Sequence, residues 1–186
     1  TAVGEGSLDA NTTASNNTAV GRDALGANTT GGDNTALGFT ALDANTTGAS
    51  NVSLGSYSLS ANTTGGTNVA VGDAALLSNT TASNNTAVGK DSLRANTTGD
   101  LNTAVGAVAL ENNTTGANNS AFGRYALNAN TTGYENTALG EAAGYTTTTG
   151  YQNIMIGRAS TSTSATASGQ CTLGGTVITN LRCNDQ

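Results

Sequence analysis

A glycine returns every seventeen residues, at Gly4, Gly21, Gly38, Gly55, Gly72, Gly89, Gly106, Gly123, Gly140 and Gly157, without one insertion. Asn17, Asn34, Asn51, Asn68, Asn85, Asn102, Asn119, Asn136 and Asn153 each stand four residues before a glycine of that series. A unit such as 17–33 reads N-T-A-V-G-R-D-A-L-G-A-N-T-T-G-G-D. So short and constant a period makes each unit one supersecondary element. Such an element cannot bury its own apolar face and must stack on its neighbours.

Within the unit nothing follows the 3.6-residue spacing of a helix. Two short extended stretches appear instead. One is Asn-Thr-Ala-Val-Gly, as at 85–89, and the other is Ala-Leu-x-Ala-Asn-Thr-Thr-Gly, as at 126–133. Glycine closes both, which predicts positive-φ corners at both places. The fold class expected is all-β, a β-solenoid or β-roll of seventeen-residue rungs. Ten rungs at the spacing of hydrogen-bonded strands make a rod about 48 Å long. The repeats occupy 1–160, a Ser/Thr/Ala-rich linker 161–169, and a short C-terminal β segment 170–186.

Two apolar columns run along the repeats. One is Val3, Val20, Leu37, Leu54, Val71, Val88, Val105, Phe122, Leu139 and Ile156. The other is Leu8, Leu25, Leu42, Leu59, Leu76, Leu93, Leu110 and Leu127. Two large side chains per rung is a thin core. Ala19, Ala36, Ala70, Ala87, Ala104, Ala121 and Ala138 alternate with the valine column and point to the other side of the strand. A strand apolar on both faces is usually covered on both. The expectation is that the valine side fills the coil and the small alanine side meets other copies of the chain, in a closed symmetric oligomer.

The asparagine series reads as a structural ladder. A second series, Asn11, Asn28, Asn45, Asn62, Asn79, Asn96, Asn113 and Asn130, runs beside it. Stacked amides can bond rung to rung or cap turns; contact with a sugar is the alternative role. After the repeating glycine, Glu5 with Arg22, Asp73 with Lys90, and Arg124 with Glu141 and then Arg158 place opposite charges on neighbouring rungs, as Arg94 and Glu111 do elsewhere. Such neighbours are expected to pair. Tyr125, Tyr134, Tyr145 and Tyr151 crowd the last third, and Tyr134 and Tyr151, one period apart, are expected to stack. Tyr125, Tyr134 and Tyr151 are candidate glycan-binding residues. The alternative is that tyrosines plug the place where Gly144-Tyr145-Thr146 replaces the usual Leu-x-Ala.

Chemistry for catalysis is missing from the sequence. There is no histidine, the commonest general base and zinc ligand. Asp9 and Asp43 share a column two rungs apart, within reach of glycosidase spacing, but isolated acids on a scaffold are the simpler reading. No catalytic residue, metal or cofactor is assigned, and no enzyme is expected. Cys171 and Cys183 lie outside the repeats and are candidates for one disulfide; two thiols do not make a disulfide scaffold. A net charge of −6 argues against nucleic acid and anionic membranes as partners. No stretch has membrane-spanning length. Thr1 enters the unit at its second letter, which reads as a piece of a longer fibre or a mature product.

The Asn-Thr-Ala-Val-Gly-x-x-Ala-Leu unit resembles the head repeats of trimeric autotransporter adhesins, whose own repeats are shorter. The full seventeen-residue form is similar to repeats of bacteriophage tail fibres. Residues 170–183 resemble the stretch before the self-cleaving intramolecular chaperone of tail fibres and endosialidases; the chaperone itself is not within the sequence. These resemblances imply a homotrimer, intertwined or side by side, on a virion or a bacterial surface, binding a host polysaccharide or receptor. A different class of reading is an ice-binding solenoid, suggested by the column Thr12, Thr29, Thr46, Thr63, Thr80, Thr97, Thr114 and Thr131 and the threonines that follow it. Adjacent residues face opposite ways, so the two columns do not form one flat array.

Overall fold

The computed structural model describes residues 1–175. It is an all-β coil that lays one strand per turn into a single parallel sheet. The strands are β1 Ala2–Val3, β2 Thr18–Val20, β3 Thr35–Leu37, β4 Val52–Leu54, β5 Val69–Val71, β6 Thr86–Val88, β7 Thr103–Val105, β8 Ser120–Phe122, β9 Thr137–Leu139, β10 Ile154–Ile156 and β11 Cys171–Leu173. They follow one another across the sheet in chain order. Register is one repeat throughout, with Thr18 opposite Thr35, Ala19 opposite Ala36 and Val20 opposite Leu37.

The winding runs on through the stretch that composition marks as a linker. β11 pairs with β10 at the same offset, Ile154 opposite Cys171. Thr148 Oγ1 donates to the Ala165 carbonyl at 3.2 Å, and Asn153 Nδ2 to the Ala167 carbonyl at 2.8 Å, as their counterparts do in earlier turns. Phase is kept by backbone and amide hydrogen bonds even where the repeat letters are lost. The part of the C-terminal β segment beyond Gly175, Cys183 included, lies outside the described residues.

The two sides of the strand are the reverse of the sequence expectation. Ala19, Ala36, Ala70, Ala87, Ala104, Ala121 and Ala138 are fully buried inside the coil. The valine column faces out, with Val3, Leu37, Phe122, Leu139, Ile156 and Leu173 exposed and its other members half-buried. Room decides this. Each turn already puts into its interior a leucine, such as Leu25, a second small residue, such as Ala24, and two asparagines, such as Asn28 and Asn34. Only a methyl group fits beside them, because interiors are packed to near-crystal density. In one turn serines replace both alanines, and Ser53 and Ser58 hydrogen-bond each other while Ser58 also donates to the Gly55 carbonyl at 2.8 Å. A buried hydroxyl is tolerated there because it is partnered.

Glycine plays two different roles. The series from Gly4 to Gly157 has φ between 112° and 146°, a region L-residues rarely enter. The glycine after Asn-Thr-Thr, as at Gly31, has no positive φ. It is small because a Cβ there would press into the next turn's carbonyl, and alanine still takes the place at Ala82. The left-handed conformation expected at that second corner falls on other residues. Asp23 (φ 58°), Leu25 (φ 54°) and Asp33 (φ 59°) illustrate three such places per turn. Their amides reach neighbouring turns: Asp23 N–H donates to the Glu5 carbonyl at 2.8 Å, Leu25 N–H to Ala41 at 3.0 Å, and Asp33 N–H to Ser15 at 3.1 Å. Left-handed residues thus let the chain bend while its buried donors stay paired.

Where the repeat degenerates, the core is refilled by a residue one turn away. Gly144 occupies a leucine place and Met155 an alanine place. A Cβ on Gly144 would meet Leu127 Cδ2 at 2.8 Å and Met155 Sδ and Cε at 3.0 Å. Met155, not a tyrosine, is the plug, and Tyr145 stays exposed. Met155→Ala should cost about 2 kcal/mol through the cavity it opens, and Gly144→Leu alone should overpack the site. The double variant moves the large side chain back to its repeat position. Urea unfolding of all four proteins should show a favourable coupling of roughly 1–3 kcal/mol; additive losses would contradict this packing.

Candidate functional site

The asparagines are spent on bonds inside the coil, with Asn85 Nδ2 an exception that has no partner among the described residues. Asn34 N–H donates to Asn17 Oδ1 at 2.8 Å, and the same bond recurs from Asn51 at 2.9 Å. In the second series Asn45 Nδ2 donates to Asn28 Oδ1 at 2.8 Å and to the Gly48 carbonyl at 2.9 Å. That carbonyl also receives Asn34 Nδ2 at 2.9 Å, so one oxygen ties the two ladders together. From Asn34 to Asn136 the first series is fully buried, as is the second from Asn28 to Asn130. A residue with no exposed surface and its amide engaged on both sides is scaffold. The second ladder stops at Thr147, and Asn130 Oδ1 is left without a partner at that break.

Threonines divide likewise. Thr29 Oγ1 donates to the Thr46 carbonyl at 3.0 Å, as its counterparts do along the rod, whereas the next threonine of each turn, as at Thr30, is exposed.

Two surfaces remain for contacts with other molecules. The first is the outer face of the sheet. Its two columns are Thr18, Thr35, Val52, Val69, Thr86, Thr103, Ser120, Thr137, Ile154 and Cys171, and, two residues on, the valine column continued to Leu173. Period-two alternation and unbroken register keep both columns straight from end to end. The valine column is an apolar stripe the length of the rod, flanked by a column mostly of threonine and serine, and neither column holds a charged residue. Cys171 is exposed on this face; its suggested partner Cys183 lies outside the described residues.

The second surface lies just before the strands. Tyr134 and Tyr151 stack with centroids 4.8 Å apart and planes 2° from parallel, as their spacing predicts. Both are exposed, 41% and 40%. On the residues after them, Gln152 Nε2 donates to Glu135 Oε2 at 2.9 Å. Tyr125 does not join this pair. It meets Tyr145 edge-on at 6.1 Å, with the Arg124 guanidinium 4.4 Å from its ring centre. An aromatic contact the sequence reading missed is Phe39 against Tyr57 at 5.2 Å, with Arg22 over Phe39 at 4.5 Å. Their places in successive units, one residue after Gly38 and two after Gly55, carried that signal.

Of the charge pairs expected between turns, Glu141 and Arg158 meet, at 3.2 Å. Arg22 turns to Asp23 at 3.1 Å, and Lys90 and Arg94 both lean on Asp91, at 3.9 and 3.5 Å. Arg124 donates to the Tyr125 hydroxyl, and Glu111 accepts from Asn128 Nδ2. A local partner costs less side-chain entropy to hold, and exposed pairs are worth too little to impose a longer reach.

Among the described residues no group of three or more His, Cys, Asp or Glu side chains is placed to hold a metal ion. Asp43 is half-buried, and desolvation, followed by the charge of Asp23, raises its pKa above 3.8. Below pH 3.8 the folded and unfolded chains both hold that proton. As pH rises past that value the unfolded chain releases it first, so Asp43 increasingly disfavours the fold until the folded group ionises too. Asp43→Asn should therefore gain melting temperature over the parent as pH rises from 3.8, with no gain below it; a gap that does not change with pH would contradict the burial.

No protein-family model, no curated protein and no solved structure matches the chain.

Proposed function

We propose that this chain is a structural shaft and host-surface-binding segment of a homotrimeric phage tail fibre, without catalytic activity. What supports the assembly is one observation, the apolar stripe that runs from Val3 to Leu173 on the outer face of the sheet. Parallel sheets are almost always covered on both faces. An exposed apolar patch this continuous marks an association surface. Each turn holds only one large apolar side chain inside, so covering the second column adds the hydrophobic burial that a single coil lacks. A closed symmetric arrangement covers every copy's stripe equally. The number three, the virion and the envelope polysaccharide as partner come from the resemblance of the repeat to phage tail fibres. The head of a trimeric bacterial surface adhesin is the alternative, with the same face closed in the same way.

Ice binding is the weaker reading. The hydroxyls of the inner threonine column are engaged in hydrogen bonds to the next turn, and the sheet face mixes threonine with Leu, Ile and Phe. The test is to purify the chain, measure its native mass, and measure binding to bacterial envelope polysaccharide beside thermal hysteresis. A mass three times 18.2 kDa with polysaccharide binding agrees with the proposal. Thermal hysteresis from a well-folded single chain overturns it.

A further inference from the structure

We infer that the stacked pair Tyr134 and Tyr151 is a platform for a neutral pyranose sugar, held against the free faces of the two rings. This assignment rests on the surface-binding half of the proposed function and is independent of how many copies assemble. In their column the residues on successive turns are Asp100, Ala117, Tyr134, Tyr151 and Ser168. Backbone bonds keep that column in step: Asn118 N–H donates to the Asp100 carbonyl at 3.1 Å, Glu135 N–H to Ala117 at 3.0 Å, and Gln152 N–H to Tyr134 at 3.1 Å. Turns lie about 4.8 Å apart. The rings cover each other on their inner faces, at 4.8 Å. Their outer faces look over Ala117 on one side and Ser168 on the other, side chains too short to cover a ring.

Below Tyr134 the gap extends a further turn. The Asp100 carboxylate leans away from the ring, accepting the Ser83 N–H at 2.7 Å. By register Asp100 and Tyr134 stand two turns apart, roughly 10 Å, with only the Ala117 methyl group in the column between them, and we take this interval as the sugar's slot. A pyranose ring fits such a slot with its C–H face on the tyrosine, the usual use of an exposed aromatic with a polar edge. Hydroxyl partners stand at the rim: Asn118 is exposed beside Ala117, and Glu135, one of whose oxygens is held by Gln152, keeps its other carboxylate oxygen to accept from a sugar hydroxyl, while Asp100 contributes negative charge from the turn beyond. Those two charges, in a chain of net charge −6, select against uronic and sialic acids. The partner is a neutral hexose polymer.

The test is a glycan array of neutral and acidic oligosaccharides, followed by titration of the best neutral binder against parent, Tyr134→Ala, Tyr134→Phe and Tyr134→Ala/Tyr151→Ala. Native mass and circular dichroism are taken for each. The expected result is selective binding of neutral glycans, roughly tenfold weaker in Tyr134→Ala, retained in Tyr134→Phe, and absent in the double variant, with mass unchanged. Binding that survives the double variant, preference for acidic glycans, or no binder on the array overturns the assignment. A fall in mass in the double variant also overturns it, because the tyrosines then belong to the contact between copies. A parent that binds through these tyrosines as a single chain leaves the platform standing and removes the trimer instead.

Discussion

Asn62→Asp is expected to unfold the coil at neutral pH, at a cost of about 3–5 kcal/mol, although it changes one atom group and no volume. Asn62 is fully buried. Its Nδ2 donates to Asn45 Oδ1 at 2.8 Å and to the Gly65 carbonyl at 3.0 Å, while its Oδ1 accepts Asn79 Nδ2 at 2.8 Å. A carboxylate keeps the last of these and turns the other two into contacts between oxygens that both need a proton. It also buries a charge with no counter-ion. Protonation restores one donor, so the variant should regain part of its stability in acid. Asn62→Ala loses the bonds without the charge and should fall between parent and Asp. Melting curves of the three at neutral and acid pH check the order; an Asp variant as stable as the alanine one would show that the ladder's interior is wet.

Gly89→Ala should cost about 3 kcal/mol or more. The backbone there has φ 132°, and the added Cβ would stand 2.6 Å from the Gly106 carbonyl carbon and 2.9 Å from Ala107 N. Neither neighbour can retreat, because both belong to the next turn's backbone. In a solenoid each turn contacts only its neighbours, so a break at the middle separates the two halves. The expected thermal transition is therefore broader or split in two. Gly99→Ala is the control. Alanine already fills the matching place at Ala82, whose carbonyl accepts Asn68 and Asn79 amides at 2.9 and 3.0 Å. A Cβ on Gly99 would press on the Gly116 carbonyl oxygen, so crowding there is at least as tight and only the positive φ is missing. Since the chain makes room for Ala82, Gly99→Ala should lose less stability, and equal losses would mean that φ is not what fixes the first series.

The contrast between these glycines shows what letters alone carry. An unbroken column at Gly4 to Gly157 reported a strict backbone need, and the interrupted one, with Ala14 and Ala82, reported only crowding. Period, strand and parallel register were readable for the same reason: stacking demands that like sit over like. The stacked Tyr134 and Tyr151 followed from that rule as well. What alternation cannot tell is which side is inside. Ala19 and Val20 point opposite ways in any strand, and the choice depends on how much of the interior Leu25, Asn28 and Asn34 already occupy. The left-handed leucines were unreadable too, because nothing in Leu25 favours φ 54°. There, burial outweighs a conformational cost of roughly 1 kcal/mol. Charge pairing between turns held for Glu141 with Arg158 and failed for Arg22, which has Asp23 closer at hand.

Sedimentation equilibrium of Val88→Lys beside the parent decides whether the outer valine face joins copies of this chain. Val88 is half-buried on the outer face of β6, whereas Ala87 beside it is fully buried inside. The expected result is a parent of three chains and a variant that keeps its circular dichroism but sediments as one chain. A variant with the parent's mass, or a parent that is itself a well-folded single chain, would contradict it.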